Sequence, residues 1–309
     1  MTEQNHGAPN QSQTQPNGKP KRPTSAYRRL RRKFAQSKAR LPLVWLRHRN
    51  FNPNDVFFCT YPKSGTTWVR FVLFEMLSGL PSGFKLTNEL MLPVGQHSKA
   101  MPLLPGGGRL IGTHEHYQKE YNRAIYLVRD ARDVVLSEWA YLKALEFADD
   151  DLDEFIKTFL FTTVSAFGPW PQHVSSWLES PIAGTENLLI VRFEDIRQDP
   201  MAWFTRIAEF LKVDVPREKI ELAIANNSIE KMREKENKEP VRASIKGRFV
   251  RDGLVRGWLS KLTPEQVRFI EEHTASQLLR LGYPLAAQLG AASTHAPATS
   301  KTRDVRYAV

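Results

Sequence analysis

The stretch Asp55-Val56-Phe57-Phe58-Cys59-Thr60-Tyr61-Pro62-Lys63-Ser64-Gly65-Thr66-Thr67-Trp68 decides how the chain is read. Its apolar, aromatic start, Val56 to Cys59, follows Asn52-Pro53-Asn54 and predicts a buried strand. Tyr61-Pro62 ends that strand, because proline has no N–H to give to a ladder. Lys63 to Thr67 turns the chain, and Trp68 to Leu77 is a helical run that stops at Gly79 and Pro81. A strand, a small-residue turn and a helix N-terminus together make an anion site, since backbone N–H groups and the helix dipole converge there. Gly65 permits close approach, Thr66 and Thr67 add hydroxyls, and Lys63 adds a mobile positive charge.

The loop is P-loop-like without being a Walker A motif. That motif sets Lys-Ser/Thr directly after its second glycine, whereas here Lys63 precedes Gly65 and no G-x-x-x-x-G-K-[ST] occurs in the chain. Read outward from it, three further apolar runs predict strands: Leu110 to His114, Ala124 to Val128 and Asn187 to Phe193. Arg129 leaves the C-terminal end of the third strand, where open α/β sheets bind ligands, and Ser137 lies two turns into the helix that follows. A guanidinium fork and a hydroxyl suit a phosphate monoester; a charge network decorating the helix start is the blander reading. Leu152 to Ser180 reads as helix broken at Gly168-Pro169, with its tryptophans in the core. Asp199-Pro200 and Thr263-Pro264-Glu265-Gln266 read as helix starts. Leu80 to Gly108 shows no period and reads as a long loop, one that either covers a binding site or is disordered.

Four of these segments, in order, resemble the motifs of the cytosolic-type sulfotransferases, a family that transfers sulfuryl groups from 3′-phosphoadenosine 5′-phosphosulfate (PAPS). Tyr61 to Trp68 resembles the family's 5′-phosphosulfate loop. Thr113-His114 matches the end of its second strand, with Gly112 where relatives carry lysine. The string from Arg129 to Ser137 resembles its 3′-phosphate motif. Arg251, Gly253, Gly257 and Trp258 match its last motif, with Asp252 in place of a lysine. The resemblance spans about Phe51 to Pro284 and implies His114 as general base and Lys63 as the group that stabilises the leaving phosphate. It implies cofactor contacts at Lys63, Ser64, Gly65, Thr66, Thr67, Trp68, Arg129, Ser137, Phe193, Ser228, Arg251, Asp252 and Gly253. His116, Glu115 and Glu89 stay open as alternative bases, and Lys246 or Arg248 as compensation for Asp252. No metal is implied, since no cluster has ligand spacing.

The expected architecture is one α/β domain, a central parallel sheet of about five strands with helices on both faces. That domain covers 51–285, between a basic arm at 1–50 and a polar tail at 286–309, both read as disordered or weakly ordered. The net charge of +11 lies almost wholly in the arm, where Lys19 to Arg49 holds no acid. The arm reads equally as an amphipathic helix on an anionic membrane surface or as a solvated helix packed on the core. Cys59 is the one cysteine, which excludes an internal disulfide, and the polar N-terminus carries no secretory signal. A cytoplasmic enzyme, with the arm offering contact to a membrane, fits both. The expected acceptor is a small molecule, glycan or lipid and not a nucleic acid. Rival readings are a nucleotide kinase or NTPase, which would need Mg²⁺ and ATP, a membrane- or nucleic-acid-binding protein driven by the arm, and a sulfotransferase-like protein that binds nucleotide without turnover.

Overall fold

The computed structural model describes residues 45–148, 150–162, 167–239, 241 and 247–292. The chain divides into two compact units, Met1–Pro42 and Leu43–Val309. The first, with most of the basic arm, lies outside the described residues, as do Lys246 and the tail beyond 292.

All four apolar runs are strands: β1 Val56–Thr60, β2 Leu110–Thr113, β3 Ala124–Val128 and β4 Leu188–Arg192. They form one parallel sheet in the order β2-β1-β3-β4. Successive side chains alternate across it. Phe57 and Cys59 of β1, with Ala124, Tyr126 and Val128 of β3, enter one core, while Val56, Phe58, Ile125 and Leu127 enter the other. Burial on both faces explains why these strands read as continuous apolar runs. The sheet has four strands among the described residues, not five. At its β2 edge an irregular segment stands where another strand would pair, with Pro93 bridged to Gly112 and Val94 N–H donating to the Gly112 carbonyl at 3.1 Å.

Helices cover both faces. After β1 comes α1 Thr66–Ser78, ended by Gly79 at φ 73°, and then α2 Phe84–Leu90. That helix and short 3₁₀ turns at His97–Lys99 and Pro105–Gly107 correct the expectation of a plain loop from Leu80 to Gly108. After β3 the chain forms α3 Ala131–Ala144, α4 Leu152–Phe161 and α5 Trp170–Leu178, with the expected break before Trp170. After β4 come α6 Phe193–Gln198, α7 Pro200–Phe210, α8 Arg217–Ala225 and α9 Ile229–Lys238. A 3₁₀ turn at Gly257–Ser260 precedes α10 Pro264–Arg280, whose start carries the Thr263/Gln266 capping box. A last helix, α11 Ala286–Ala292, stands where composition predicts tail. Its first N–H donates to Glu271 Oε1 of α10 at 2.8 Å, a long-range cap that composition does not reveal. Among the described residues no helix is long and apolar enough to cross a membrane.

The order 2-1-3-4 puts β1 between neighbours whose connections run to opposite sides. The carboxyl ends of β1 and β3 therefore flank the switch-point crevice. Arg132 of α3 ties the far wall of that crevice together. It reaches Asp130 at 2.6 Å, Glu271 at 2.5 Å and the Pro284 carbonyl at 3.0 Å, and its guanidinium lies 3.9 Å from the Trp258 ring centre. The side chain is 1% exposed, so deleting it strands two acids in a dry setting. Arg132→Ala is expected to lose about 3–5 kcal/mol in urea unfolding; a loss under about 1 kcal/mol would place this cluster among surface pairs.

On the other flank, inside the span assigned from sequence to the arm, His48 is buried. It contacts Tyr121 at 3.0 Å and Glu115 at 2.9 Å, and Arg47 meets the second Glu115 oxygen at 2.9 Å.

Candidate active site

The turn after β1 is shaped by two residues with left-handed backbones, Lys63 at φ 69° and Gly65 at φ 93°. Gly65 is the N-cap of α1, and no side chain caps that helix. The first-turn amides of α1 are thus open to a ligand, with the dipole's positive end behind them. A Cβ at Gly65 would lie 2.3 Å from the Phe193 ring, so only glycine permits the ring to close over the turn. Phe193 begins α6, directly after β4, which explains how a residue so distant in sequence roofs the loop.

A cavity of about 420 Å³ opens on this turn. Of the expected residues, Lys63, Gly65, Thr66, Thr67, Trp68, His114, Arg129, Ser137, Phe193, Arg251, Asp252 and Gly253 all line it. Segments from five different parts of the chain meet there. Ser64 and Ser228 do not line it. The Ser64 hydroxyl is buried without a hydrogen-bond partner among the described residues, and the Ser64 N–H closes the turn onto the Tyr61 carbonyl at 3.3 Å. Ser228 is the N-cap of α9, accepting from the Lys231 N–H at 3.3 Å, and its neighbour Ile229 reaches the cavity instead.

Three cations converge. Arg129, at the end of β3, donates to the Lys63 carbonyl at 3.3 Å and to the Leu254 carbonyl at 2.8 Å and lies 3.8 Å from Asp133; its Nε is buried with no partner among the described residues. It thereby clasps the loop to the segment carrying the last motif. Arg251 donates to Ser137 Oγ at 2.8 Å, so the two residues expected to share one phosphate already touch. Burial, then the neighbouring Arg129, lowers the pKa of Arg251. Lys63 places its ammonium 4.0 Å from the Tyr141 ring centre and 4.5 Å from that of Phe249. Burial first, then the Arg251 charge, brings its pKa down to about 7, against the pull of Glu138. Glu138, one residue past Ser137, is buried too, and burial raises its pKa to about 7 although Lys63 draws it down.

Asp133 of α3 sets the opposite wall. Its carboxylate accepts from the backbone N–H of Arg256 at 2.9 Å and of Trp258 at 3.0 Å, holding the 3₁₀ turn in place. Asp130 is the N-cap of α3, accepting from the Arg132 N–H at 2.9 Å. The acids of this motif build the scaffold, and Arg129 and Ser137 face the cavity. Asp252, the residue of wrong sign for a phosphate contact, is neutralised by Arg233 of α9 at 3.0 Å. Arg248 is exposed and does not line the cavity.

Among the four bases weighed from sequence, only His114 faces the cavity. Glu89 is exposed, Glu115 is held by Arg47 and His48, and His116 Nε2 meets the Phe167 carbonyl at 2.8 Å. His114 Nδ1 lies 2.7 Å from the Thr60 carbonyl, which only a protonated Nδ1 satisfies, so Nε2 keeps its lone pair. Burial, opposed by that hydrogen bond, holds the His114 pKa below the usual imidazole value. The Thr60 hydroxyl lies 2.9 Å from the same Nδ1 and 2.7 Å from the Thr66 hydroxyl, linking the histidine to the loop. Arg70, Tyr141, Arg197, Phe249 and Lys261 also line the cavity, none of them marked by a local sequence pattern. Among the described residues no group of three or more His, Cys, Asp or Glu is arranged to hold a metal ion.

Residues 106–282 match the family model described as the sulfotransferase domain. Sulfotransferase 1A1 of Mus musculus is 27% identical over 265 residues, covering 77% of this chain and 89% of that protein. Cytosolic sulfotransferase 13 of Arabidopsis thaliana is 25% identical over 260 residues, 75% of this chain and 79% of that one. Mouse sulfotransferase SULT7A1, solved complexed with PAP, superimposes with a TM-score of 0.61 at 24% identity, over 76% of this chain and 88% of that one. Retinol dehydratase, solved with androsterone and the inactive cofactor PAP, gives 0.60 at 20% identity, over 75% of this chain and 83% of its own. With its motifs gathered around one cavity and over half its length matched by the family model, this chain belongs to the sulfotransferase domain family.

Proposed function

We propose that the cavity binds PAPS and transfers its sulfuryl group to a hydroxyl or amine of a small-molecule, glycan or lipid acceptor, in the cytoplasm. The observation that carries this reading is the meeting of three cations, Lys63, Arg129 and Arg251, with the uncapped start of α1 in one cavity. Such a donor set fits two phosphate groups, one at each end. The Nε of Arg129, without a partner among the described residues, and the burial and neighbouring Arg129 charge that lower the pKa of Arg251 both favour a bound anion. PAPS, once bound, supplies an activated sulfuryl group on a phosphate that can leave.

The chain's own residues then have distinct tasks. The amides of Gly65, Thr66 and Thr67 hold the 5′-phosphate, and Arg129, Ser137 and Arg251 hold the 3′-phosphate. Trp68 and Phe193, with ring centres 6.1 Å apart and edge to face, flank the base. His114 Nε2 takes the acceptor's proton as the new O–S bond forms. Lys63 neutralises the charge that gathers on the bridging oxygen as the old O–S bond breaks. The products are the sulfated acceptor and adenosine 3′,5′-bisphosphate (PAP).

Calorimetric titration with PAP, against ATP as control, tests the reading. PAP is expected to bind without Mg²⁺ and at least about 100-fold more tightly than ATP, since each unmet phosphate contact costs on the order of 1.5–3 kcal/mol. Equal binding of the two would overturn it. The same titration is expected to show proton uptake. A bound dianion favours the ammonium of Lys63 and raises its pKa above the value of about 7 in the free protein. It raises the pKa of Glu138, also about 7, in the same sense. Affinity is therefore full below pH 7 and declines as pH climbs above it, and heats in two buffers of different ionisation enthalpy should differ. Lys63→Arg, which stays protonated through this range, should reduce the uptake.

A further inference from the structure

Arg70 sits one turn beyond Thr66 and Thr67 on α1 and lines the cavity together with His114. Its setting is unlike that of Arg132 and Arg109. Arg132 and Arg109 each meet a carboxylate at 2.6 Å. Arg70 instead donates to two neutral oxygens, Asn88 Oδ1 at 3.0 Å and the Met91 carbonyl at 2.7 Å, and its Nε is buried with no partner among the described residues. Among the described residues no carboxylate offsets the burial of its guanidinium, which brings its pKa down to about 10. A buried cation served only by neutral oxygens is costly unless an anion arrives to complete it.

The room for that anion lies in the cavity that Arg70 and His114 both line. Met91, the anchor of the guanidinium, stands two residues before Pro93, which pairs with Gly112 on β2. A Cβ at Gly112 would meet nothing within 4 Å. Gly112 stands two residues before His114, which lines the cavity with Arg70. The Arg70 charge also opposes protonation of His114. An imidazolium forming there during proton transfer needs a negative group between the two cations.

We propose that Arg70 holds an anionic oxygen group at the reacting end of the cavity, beside His114. The group comes either from the sulfuryl oxygens in transit or from a negatively charged substituent next to the acceptor's reacting atom. The inference rests on the sulfotransferase reading for its probes and goes beyond it in assigning a contact at the acceptor end.

Arg70→Gln and Arg70→Lys decide it, each titrated calorimetrically with PAP and with PAPS, which differ by the sulfuryl group alone. Arg70→Gln is expected to weaken PAPS by about 10-fold or more and to leave PAP unchanged, with Arg70→Lys recovering part of the loss. Unchanged PAP affinity also certifies that the variant is folded. In the second arm the PAP complexes are titrated with 4-hydroxybenzoate and with 4-hydroxybenzamide. A wild-type preference for the carboxylate that vanishes in Arg70→Gln would assign the anion to the acceptor. If both nucleotides bind and neither the PAPS/PAP ratio nor a carboxylate preference depends on Arg70, the assignment is wrong. A wild-type protein indifferent to both nucleotides would instead overturn the proposed function.

Discussion

Lys63→Ala lowers kcat by about 10²-fold or more, the scale for removing one preorganised charge at a developing oxyanion. PAP affinity should fall far less. In the proposed site the 5′-phosphate is held by main-chain amides and the 3′-phosphate in part by Arg129, which grips the Lys63 carbonyl and not its side chain. The ammonium's position supports this division. It rests between the rings of Tyr141 and Phe249 at 4.0 and 4.5 Å, with no carboxylate in salt-bridge contact among the described residues, so its charge is available to a ligand. Single-turnover measurement with PAPS separates the two effects. A variant that turns over at the wild-type rate would remove Lys63 from the chemistry. Its titration also sets the alkaline side of the pH profile. Because kcat/KM reports the free enzyme, that limb should lie near pH 7, while kcat for the loaded enzyme should hold to higher pH.

The second large effect is expected at His114. His114→Ala should cost about 10²- to 10⁴-fold in kcat, the range for loss of a positioned base, with PAP affinity close to wild type. The base is ready at neutral pH for two reasons seen in the structure. Its Nδ1 proton is held by the Thr60 carbonyl at 2.7 Å, and burial keeps its pKa below the ordinary imidazole value, so the ring is neutral. The acid limb of kcat/KM should therefore lie below pH 6.5 and disappear in the variant. If the limb persisted in His114→Ala, another group would be the base.

Much of this site was legible because local chemistry carried it. The turn after β1 needs glycine at Gly65, proline ends the strand, and a run buried on both faces has a continuous apolar pattern. Arg129 could be placed because it leaves the carboxyl end of β3, where open sheets bind ligands, and Ser137 because it lies two turns into the helix that follows. Long-range packing was not legible. Tyr141 and Phe249 come from separate segments to flank Lys63, and Arg233 reaches Asp252 from α9; neither pairing leaves a trace in spacing. Arg70 reads as an ordinary helical arginine until the neutral character of its partners is seen. The edge of β2 taught a related lesson. Main chain near Pro93 and Val94 satisfies Gly112 without strand regularity, and the fifth strand expected of the sheet is absent among the described residues. Ser64 and Ser228 carry the right chemistry at the right positions, yet the backbone turns one inward and uses the other as a cap.

The pairing of Arg47 and His48 with Glu115 bears on how the basic arm can be studied. Glu115 directly follows His114, so trimming the N-terminus as far as Arg49 would loosen the anchorage of the proposed base while removing the lysines and arginines of the arm. Turnover lost in that shortened protein would be misread as a failure of membrane recruitment. A cut placed before Trp45 leaves the Glu115 anchorage whole, and only there does a liposome-binding comparison isolate what the arm contributes.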